Sequence, residues 1–269
     1  LSTSSKEKIK PIKMERPVVS IITPSYNSAS FITQTIRSVQ EQTFLHWELL
    51  ITDDCSTDDT VEIINAFIKA DSRIKLFTLP QNAGPGVARN HSLNHAAGKY
   101  IAFLDSDDLW KPEKLEKQIR FMAQSGQHFT FTFYDCMDEN GDLMNQRVEA
   151  PETLSYKQLF FCNYVGNLTG IYDSDYFGKI PVSSIKKRQD WIVWLTILKK
   201  LKYAKPVPES LAVYRIRTKS VSSSKMNLLQ YNYAVYRDFH RLNVIAALAC
   251  MAIFLVVQLL VKPRYVKKS

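Results

Sequence analysis

Residues 99–110 read KYIAFLDSDDLW: an apolar run that ends in three carboxylates within four positions, Asp105, Asp107 and Asp108. A short, unbroken apolar run bounded by turn formers is the pattern of a strand buried on both faces. Carboxylates this close repel one another, so the turn needs a cation, hydrogen bonds or open solvent to relieve the strain. Asp and Ser are favoured turn formers, which gives a solvated turn. A D-x-D spacing also lets two carboxylates converge on one divalent ion, since Mg²⁺ and Mn²⁺ take oxygen ligands and commonly use one or two carboxylates with substrate phosphates. Taken alone, the segment supports both readings.

Working outward, strand and helix patterns alternate. VVSIIT (18–23) predicts a first strand ended by Pro24, and FITQTIRSVQEQ (31–42) an amphipathic helix with Phe31, Ile32, Thr35, Ile36 and Val39 on one face. WELLITDD (47–54) predicts a second strand, and Thr57 a cap for a helix over 58–70. RIKLFTL (73–79) is a third strand, and GVARNHSLNHAA (86–97) a helix stopped by Gly98. KYIAFLD (99–105) is the fourth strand, after which Pro112 opens a helix to about Gln124. The expectation is an α/β fold with a mainly parallel, doubly wound sheet flanked by helices. Such sheets bind ligands at the carboxyl ends of their strands, where Asp53 and Asp54 end the second strand and the acidic turn ends the fourth. Beyond residue 126 the alternation loosens. FTFTFYD (129–135), NLTGIYD (167–173) and SLAVYRIR (210–217) read as strands, SYKQLFF (155–161) and RQDWIVWLTILKKL (188–201) as helices.

The chain has 269 residues and a net charge of +9, placed mostly at its ends. Residues 1–16 carry five basic and two acidic side chains, and residues 237–269 six and one. The nearly neutral body argues against nucleic-acid binding, and the basic ends suit an anionic membrane surface. The four cysteines have no metal-ligand spacing and read as reduced thiols. Residues 244–261, VIAALACMAIFLVVQLLV, carry no charge and would span about 27 Å as a helix, with Arg241 before and Lys262, Arg264, Lys267 and Lys268 after. This hydrophobic helix reads as membrane-associated. A span, a re-entrant half and an interfacial helix all stay open at this point.

Four blocks occur in order: TPSYNSASFITQTIRSVQEQTF, ITDDCSTDDT, NAGPGVARNHSLNHAAGKYIAFLDSDDLWKPEKL and RQDWIVWL. Together, over roughly residues 17–218, they resemble the inverting family-2 nucleotide-sugar glycosyltransferases of the GT-A fold, of the bacterial surface-polysaccharide type. The resemblance implies a nucleotide-binding half over 17–125 and an acceptor half over 126–218. Around them lie a flexible basic lead-in (1–16), a helical linker (219–243), the membrane-associated helix (244–261) and a basic tail (262–269).

It also implies roles. Pro24 and Tyr26 would line the nucleotide pocket, and Asp54 would accept a hydrogen bond from the uracil N–H, with Asp53 shaping the turn. Arg89 would lie near the nucleotide or its diphosphate. Asp107 would be the metal ligand for Mn²⁺ or Mg²⁺, with Asp105 and Ser106 by the donor and Asp108 shaping the loop. Asp190 would be the catalytic base. Gln189 stands where the family usually has an acidic residue, and with Trp191 it would meet the acceptor. Tyr214, Arg215 and Ser220 to Ser224 resemble a late YR…S region, in which Arg215 or Arg217 would face the diphosphate.

The expected function is metal-dependent, inverting transfer of a hexose from a UDP-sugar to a saccharide or lipid-linked glycan at the cytoplasmic face of the cell membrane. The alternative is a membrane-tethered module that binds nucleotide-sugar or glycan without turnover. A nucleotidyltransferase would need a Gly- and Lys-rich loop that TPSYNSAS lacks. A dinucleotide fingerprint fails because Arg89 stands where a third small residue belongs. His91 and His95, four apart on one helix, lack a third ligand and read as structural.

Overall fold

The computed structural model describes residues 17–217 and 225–268. The first apolar runs form β1 (Val19–Ser25), β2 (Trp47–Asp53), β3 (Ile74–Thr78) and β4 (Tyr100–Phe103), linked by α1 (Ile32–Gln40), α2 (Thr60–Ala70) and α3 (Pro85–His95). All four strands run parallel, and β1 and β2 are buried along their whole length. Helices on both faces leave such central strands no polar side, which is why their sequences read as continuous apolar runs rather than alternating ones.

The second half supplies β5 (Leu109–Trp110), α4 (Lys114–Ser125), β6 (Phe129–Thr130), β7 (Phe133–Met137), β8 (Leu143–Val148), β9 (Leu154–Ser155) and α5 (Tyr156–Phe161). There follow β10 (Ile171–Asp173), α6 (Ser174–Phe177), α7 (Gln189–Leu201), β11 (Tyr203–Ala204), β12 (Ser210–Arg215), α8 (Lys225–Ala234), α9 (Val244–Val256) and β13 (Val266–Lys268). Among the described residues the larger sheet has the order β3-β2-β1-β4-β10-β6, with β10 antiparallel to both neighbours. A second sheet has the order β13-β8-β7-β12-β5, and β11 pairs with β9. The α/β expectation holds: the first-half strands are all parallel, and the second half is mixed, with β12 parallel to β7 and the other pairings antiparallel.

Several local expectations are corrected. Pro24 lies inside β1, opposite Thr52. Pairing of β1 with β4 stops at Ile22, so Pro24 sits where β1 has one neighbour and the missing N–H is tolerated. Thr57 is not a helix cap. Its N–H bonds Asn27 Oδ1, and the helix starts at Thr60 behind Asp59. FTFTFYD is two strands in two sheets, with β6 in the larger and β7 in the smaller. In NLTGIYD, residues 167–169 form a 3₁₀ turn before β10. Gly170 between them lies against the Trp194 ring, where an added Cβ would come within 2.5 Å of the indole. α5 is capped as its sequence allows, by a reciprocal Ser155–Gln158 capping box.

The C-terminal segment is more integrated than a linker and a tail. The apolar helix continues from Val244 through wider and tighter turns to Tyr265 and, among the described residues, is the one helix long and apolar enough to cross a membrane. Its inner face packs on the domain: Ala247 and Phe254 join the core of Trp191, Tyr236 and Val235. The expected basic tail is folded as well, since Val266, Lys267 and Lys268 pair with Val148, Arg147 and Gln146. Residues 1–16 and Ser220 to Ser224 lie outside the described residues.

Candidate active site

A cleft of about 810 Å³ opens at the carboxyl ends of β1, β2 and β4. Its floor begins with two turns tied to each other. After β1, Asn27 takes a left-handed φ of 46°, and after β2, Cys55 takes one of 65°. Asn27 N–H donates to Ser56 Oγ, while Asn27 Oδ1 accepts from Thr57 N–H, both at 2.8 Å. Asp53 accepts from Ser56 N–H and its hydroxyl and so closes the second turn. Asp54 is buried, and its two carboxylate oxygens each accept a 2.7 Å hydrogen bond, from the N–H groups of Ala83 and Gly84. The carboxylate therefore pins the β3–α3 loop to the end of β2 at the cleft, a duty its sequence position did not reveal. Pro24 and Tyr26 line the same end, with the Tyr26 ring about half exposed.

The acidic turn after β4 separates into distinct environments. Asp105 receives Arg89 Nη2 at 2.5 Å and Asn167 Nδ2 at 3.0 Å. Arg89 also donates to Gln189 Oε1 at 2.7 Å, so one guanidinium links the turn to the start of α7. Ser106 Oγ meets Ser28 Oγ at 2.7 Å. Asp107 faces Arg217 Nη1 at 3.1 Å, and burial beside Asp105 raises its carboxyl above the ordinary range. Asp108 is wholly enclosed and accepts the Arg215 N–H at 2.9 Å. Burial, with Asp107 and Asp105 nearby, drives its carboxyl well above the usual value. Asp108 thus holds the turn against β12, while Asp105 and Asp107 keep partly exposed carboxylates at the cleft. The Arg215 side chain bonds backbone carbonyls of Asp107, Asp138 and Glu139, and so braces the turn from behind.

Asp190 lies in the first turn of α7, where a carboxylate is favoured by the helix dipole. It lines the cleft, and its Oδ2 accepts from Asn163 Nδ2 at 2.8 Å. Burial raises its carboxyl above the ordinary range, and the Arg188 charge, Arg89 and the Asn163 hydrogen bond oppose that rise. Arg188, the residue before α7, has a left-handed φ of 67° and donates from Nε to Asn232 Oδ1 at 2.6 Å. A non-glycine residue held in that region costs about 1–3 kcal/mol, which surrounding contacts must offset.

The structure gathers Pro24, Tyr26, Asp54, Arg89, Asp105, Ser106, Asp107, Gln189 and Asp190 around one cleft. Trp191 is the exception. Expected at the acceptor site, it is 0% exposed, and its indole N–H donates to Leu159 O at 2.7 Å. One residue past Asp190, the helical turn points its side chain the other way, into the core. His95 stacks on Phe77, His91 meets the same ring edge-on, and His95 Nδ1 meets the His91 carbonyl, a structural cluster.

Sequence reading missed Asn163, Asn167 and Lys262, all of which line the cleft. Asn163 falls between the predicted helix 155–161 and the predicted strand 167–173, and Asn167 opens that predicted strand, so neither stands in a recognisable site motif. Lys262 reads as a flank of the apolar helix, yet its Nζ reaches the Asn163 carbonyl at 3.1 Å.

Residues 20–178 match the family described as glycosyl transferase family 2. The Bacillus subtilis protein named teichuronic acid biosynthesis glycosyltransferase TuaG is 43% identical over 87% of this chain and 93% of its own length. An Escherichia coli protein, UDP-Glc:alpha-D-GlcNAc-diphosphoundecaprenol beta-1,3-glucosyltransferase WfgD, is 37% identical over 84% of this chain and 88% of its own. In fold, the chain matches S. aureus TarS 1-349 in complex with UDP-GlcNAc with a TM-score of 0.62 at 22% identity, over 91% of this chain and 76% of that one. It covers 44% of a longer TarS chain. With the cleft, the sheet order and these matches in agreement, the chain belongs to the family 2 glycosyltransferases.

Proposed function

We propose that this glycosyltransferase moves a hexose from a UDP-sugar to a saccharide or lipid-linked glycan acceptor in surface polysaccharide synthesis, by a metal-dependent, inverting reaction. The observation that carries the proposal is the single cleft lined by Asp54, Arg89, Asp105 and Asp107 together with Asp190. The E. coli relative's name gives a UDP-sugar donor and a diphosphate-linked lipid acceptor, which supports the same classes here. Lys186, Lys187, Arg188 and Lys262 line the cleft as well and suit an acceptor that carries phosphate.

In this reading the uridine lies against Tyr26 and the loop held by Asp54, while Arg89 and Arg217 face the diphosphate. Asp190 takes the proton from the acceptor hydroxyl as that oxygen attacks C1 from the side opposite the leaving UDP. The new C1–O bond forms as the bond from C1 to the diphosphate oxygen breaks, which inverts the anomeric carbon. Asn163 and Arg188 favour the ionised, proton-accepting form of Asp190 against the effect of its burial.

The residues fit a divalent cation. Asp107 is an oxygen donor beside a second carboxylate, Asp105, and the one cation within ion-pair distance of it among the described residues is Arg217 at 3.1 Å. Among the described residues no three acidic, His or Cys side chains form a closed cage. One carboxylate shared with substrate phosphates is how Mg²⁺ and Mn²⁺ are commonly held. When bound at Asp107, the ion would supply charge neutralisation for the departing diphosphate.

The apolar helix and its basic flanks support residence at a membrane surface, on the cytoplasmic face where the UDP-sugar is available. The test is a panel of UDP-hexoses with Mn²⁺ and diphosphate-lipid-linked saccharides, read by UDP release and by the mass of the acceptor. Extension of an acceptor by one hexose is expected. Absence of both UDP release and product with every donor would favour the binding-only alternative and overturn the reading.

A further inference from the structure

The helix Val244–Tyr265 has 22 residues, about 33 Å at the α-helical rise, so its length alone allows it to cross a bilayer. Its tethering does not. At the N-terminal end, the Leu242 N–H bonds the Tyr236 carbonyl, His240 packs at a tilt against Phe160, and Tyr236 Oη donates to Phe160 O. At mid-length Phe254 meets Trp191, and Cys162 Sγ reaches Gln258 Oε1 at 3.3 Å. At the C-terminal end, Lys262 bonds Asn163 O, Tyr265 packs on Tyr164 and accepts the Glu149 N–H, and β13 joins the second sheet. Both ends and the middle are fastened to the same catalytic domain. A crossing helix would put its two ends on opposite sides of the bilayer and tear β13 and Lys262 out of the fold.

The outer face is a different surface. Ile245, Leu248, Ile253, Val256, Leu259 and Leu260 are exposed at 46% to 81%, with no charge among them. Exposed Arg241 stands before this face and exposed Arg264, Lys267 and Lys268 after it, and no acidic residue follows Asp238. An apolar face with basic residues at its ends is complementary to the acyl boundary and headgroups of an anionic membrane.

We propose that this helix lies in the plane of an anionic membrane surface, outer face in the lipid and inner face on the domain, and does not span the bilayer. The proposal deepens the membrane reading above and rests on it. It explains why the helix end builds part of the cleft: a lipid-linked acceptor would reach Lys262 and Asp190 from the same surface that holds the helix.

The full-length chain is tested by flotation with preformed phosphatidylglycerol/phosphatidylcholine vesicles, then labelled from outside with a membrane-impermeant maleimide. Labels on Arg241→Cys, Lys268→Cys and native Cys55 are read peptide by peptide. Flotation weakened by salt is expected, with positions 241 and 268 and Cys55 all labelled without detergent. Lys267→Cys serves as a second probe of the strand. A bilayer-protected cysteine at 267 or 268 alongside labelled Cys55 would overturn the in-plane helix while leaving membrane binding intact. Failure to float would instead overturn the membrane reading itself. Leu248→Glu/Leu259→Glu should cut the vesicle-bound fraction at least about tenfold and leave UDP binding unchanged. Unchanged flotation of that variant, or a lipid-free dimer that it disperses, would show that lipid is not what covers the face.

Discussion

Asn163 donates from Nδ2 to Asp190 Oδ2 at 2.8 Å, while its own carbonyl accepts from Lys262 Nζ at 3.1 Å. One asparagine thus joins the proposed base on α7 to the end of the C-terminal apolar helix. The side-chain bond also bears on the protonation of Asp190. Burial favours the neutral acid at Asp190, and Asn163 and Arg188 favour the carboxylate.

The rate of transfer should carry an acid limb governed by Asp190. A base works only when deprotonated, and burial has raised this carboxyl above the ordinary aspartate value of 3.8. Activity should therefore fall as pH drops through a value above that of a solvated aspartate. Asn163→Ala removes a hydrogen bond to the ionised form, so its limb should move to still higher pH. The measurement is kcat/KM against pH at saturating Mn²⁺. A limb that stays put in Asn163→Ala would separate Asn163 from the proton chemistry.

Asp190→Asn keeps the shape and removes the proton acceptor. Loss of a general base costs about 10²–10⁴ in rate, whereas UDP binding at the Asp54 and Asp107 end should remain near wild type. Single-turnover transfer and calorimetry with UDP measure the two separately. Wild-type transfer by the variant would rule out Asp190 as the base.

The parallel half was legible because its strands are short, mainly apolar runs separated by helical segments, and because the acids at their carboxyl ends stand in the sequence beside those strands. Positions set by long-range geometry were not legible. Asn163 and Lys262 lie 27 and 72 residues from Asp190 along the chain, and nothing local marks either as part of a cleft. Trp191 was misread for a related reason. Adjacency to Asp190 is adjacency along the chain, and a helix turns successive side chains to different faces. The split of FTFTFYD between two sheets was hidden because alternation looks the same whichever sheet a strand joins.

Trp191 gives a test of that correction. As a core residue bonded to Leu159 O and packed on Tyr236 and Phe254, its replacement by alanine should destabilise the fold by about 3–5 kcal/mol. Urea unfolding measures the loss. A Trp191→Ala protein with wild-type stability and a raised acceptor KM would restore the acceptor-site role.

Asp107→Ala should abolish the Mn²⁺ enhancement of UDP binding, because no second carboxylate takes its place. Asp105 is held by Arg89 and Asn167, and Asp108 is enclosed behind the turn. Calorimetry with UDP in the presence and absence of Mn²⁺ gives the comparison. An equal Mn²⁺ effect in wild type and Asp107→Ala would move the ion elsewhere.

Lys262→Gln probes the acceptor end. Lys262 lines the cleft, is pulled down from its ordinary basicity by burial, and shares its surroundings with Arg188 and Asp190. Two cations drawn together there are best relieved by an anion, and the diphosphate of a lipid-linked acceptor is one. Loss of one charge-assisted contact is worth about a tenfold rise in acceptor KM, with donor KM unchanged because the proposed donor contacts are Arg89 and Arg217. A saccharide acceptor lacking phosphate should show no such rise, since it offers Lys262 nothing to bind. Equal effects on both acceptors would mean that Lys262 acts by holding Asn163 in place, and the pH profile of the variant would then shift in the same direction as that of Asn163→Ala.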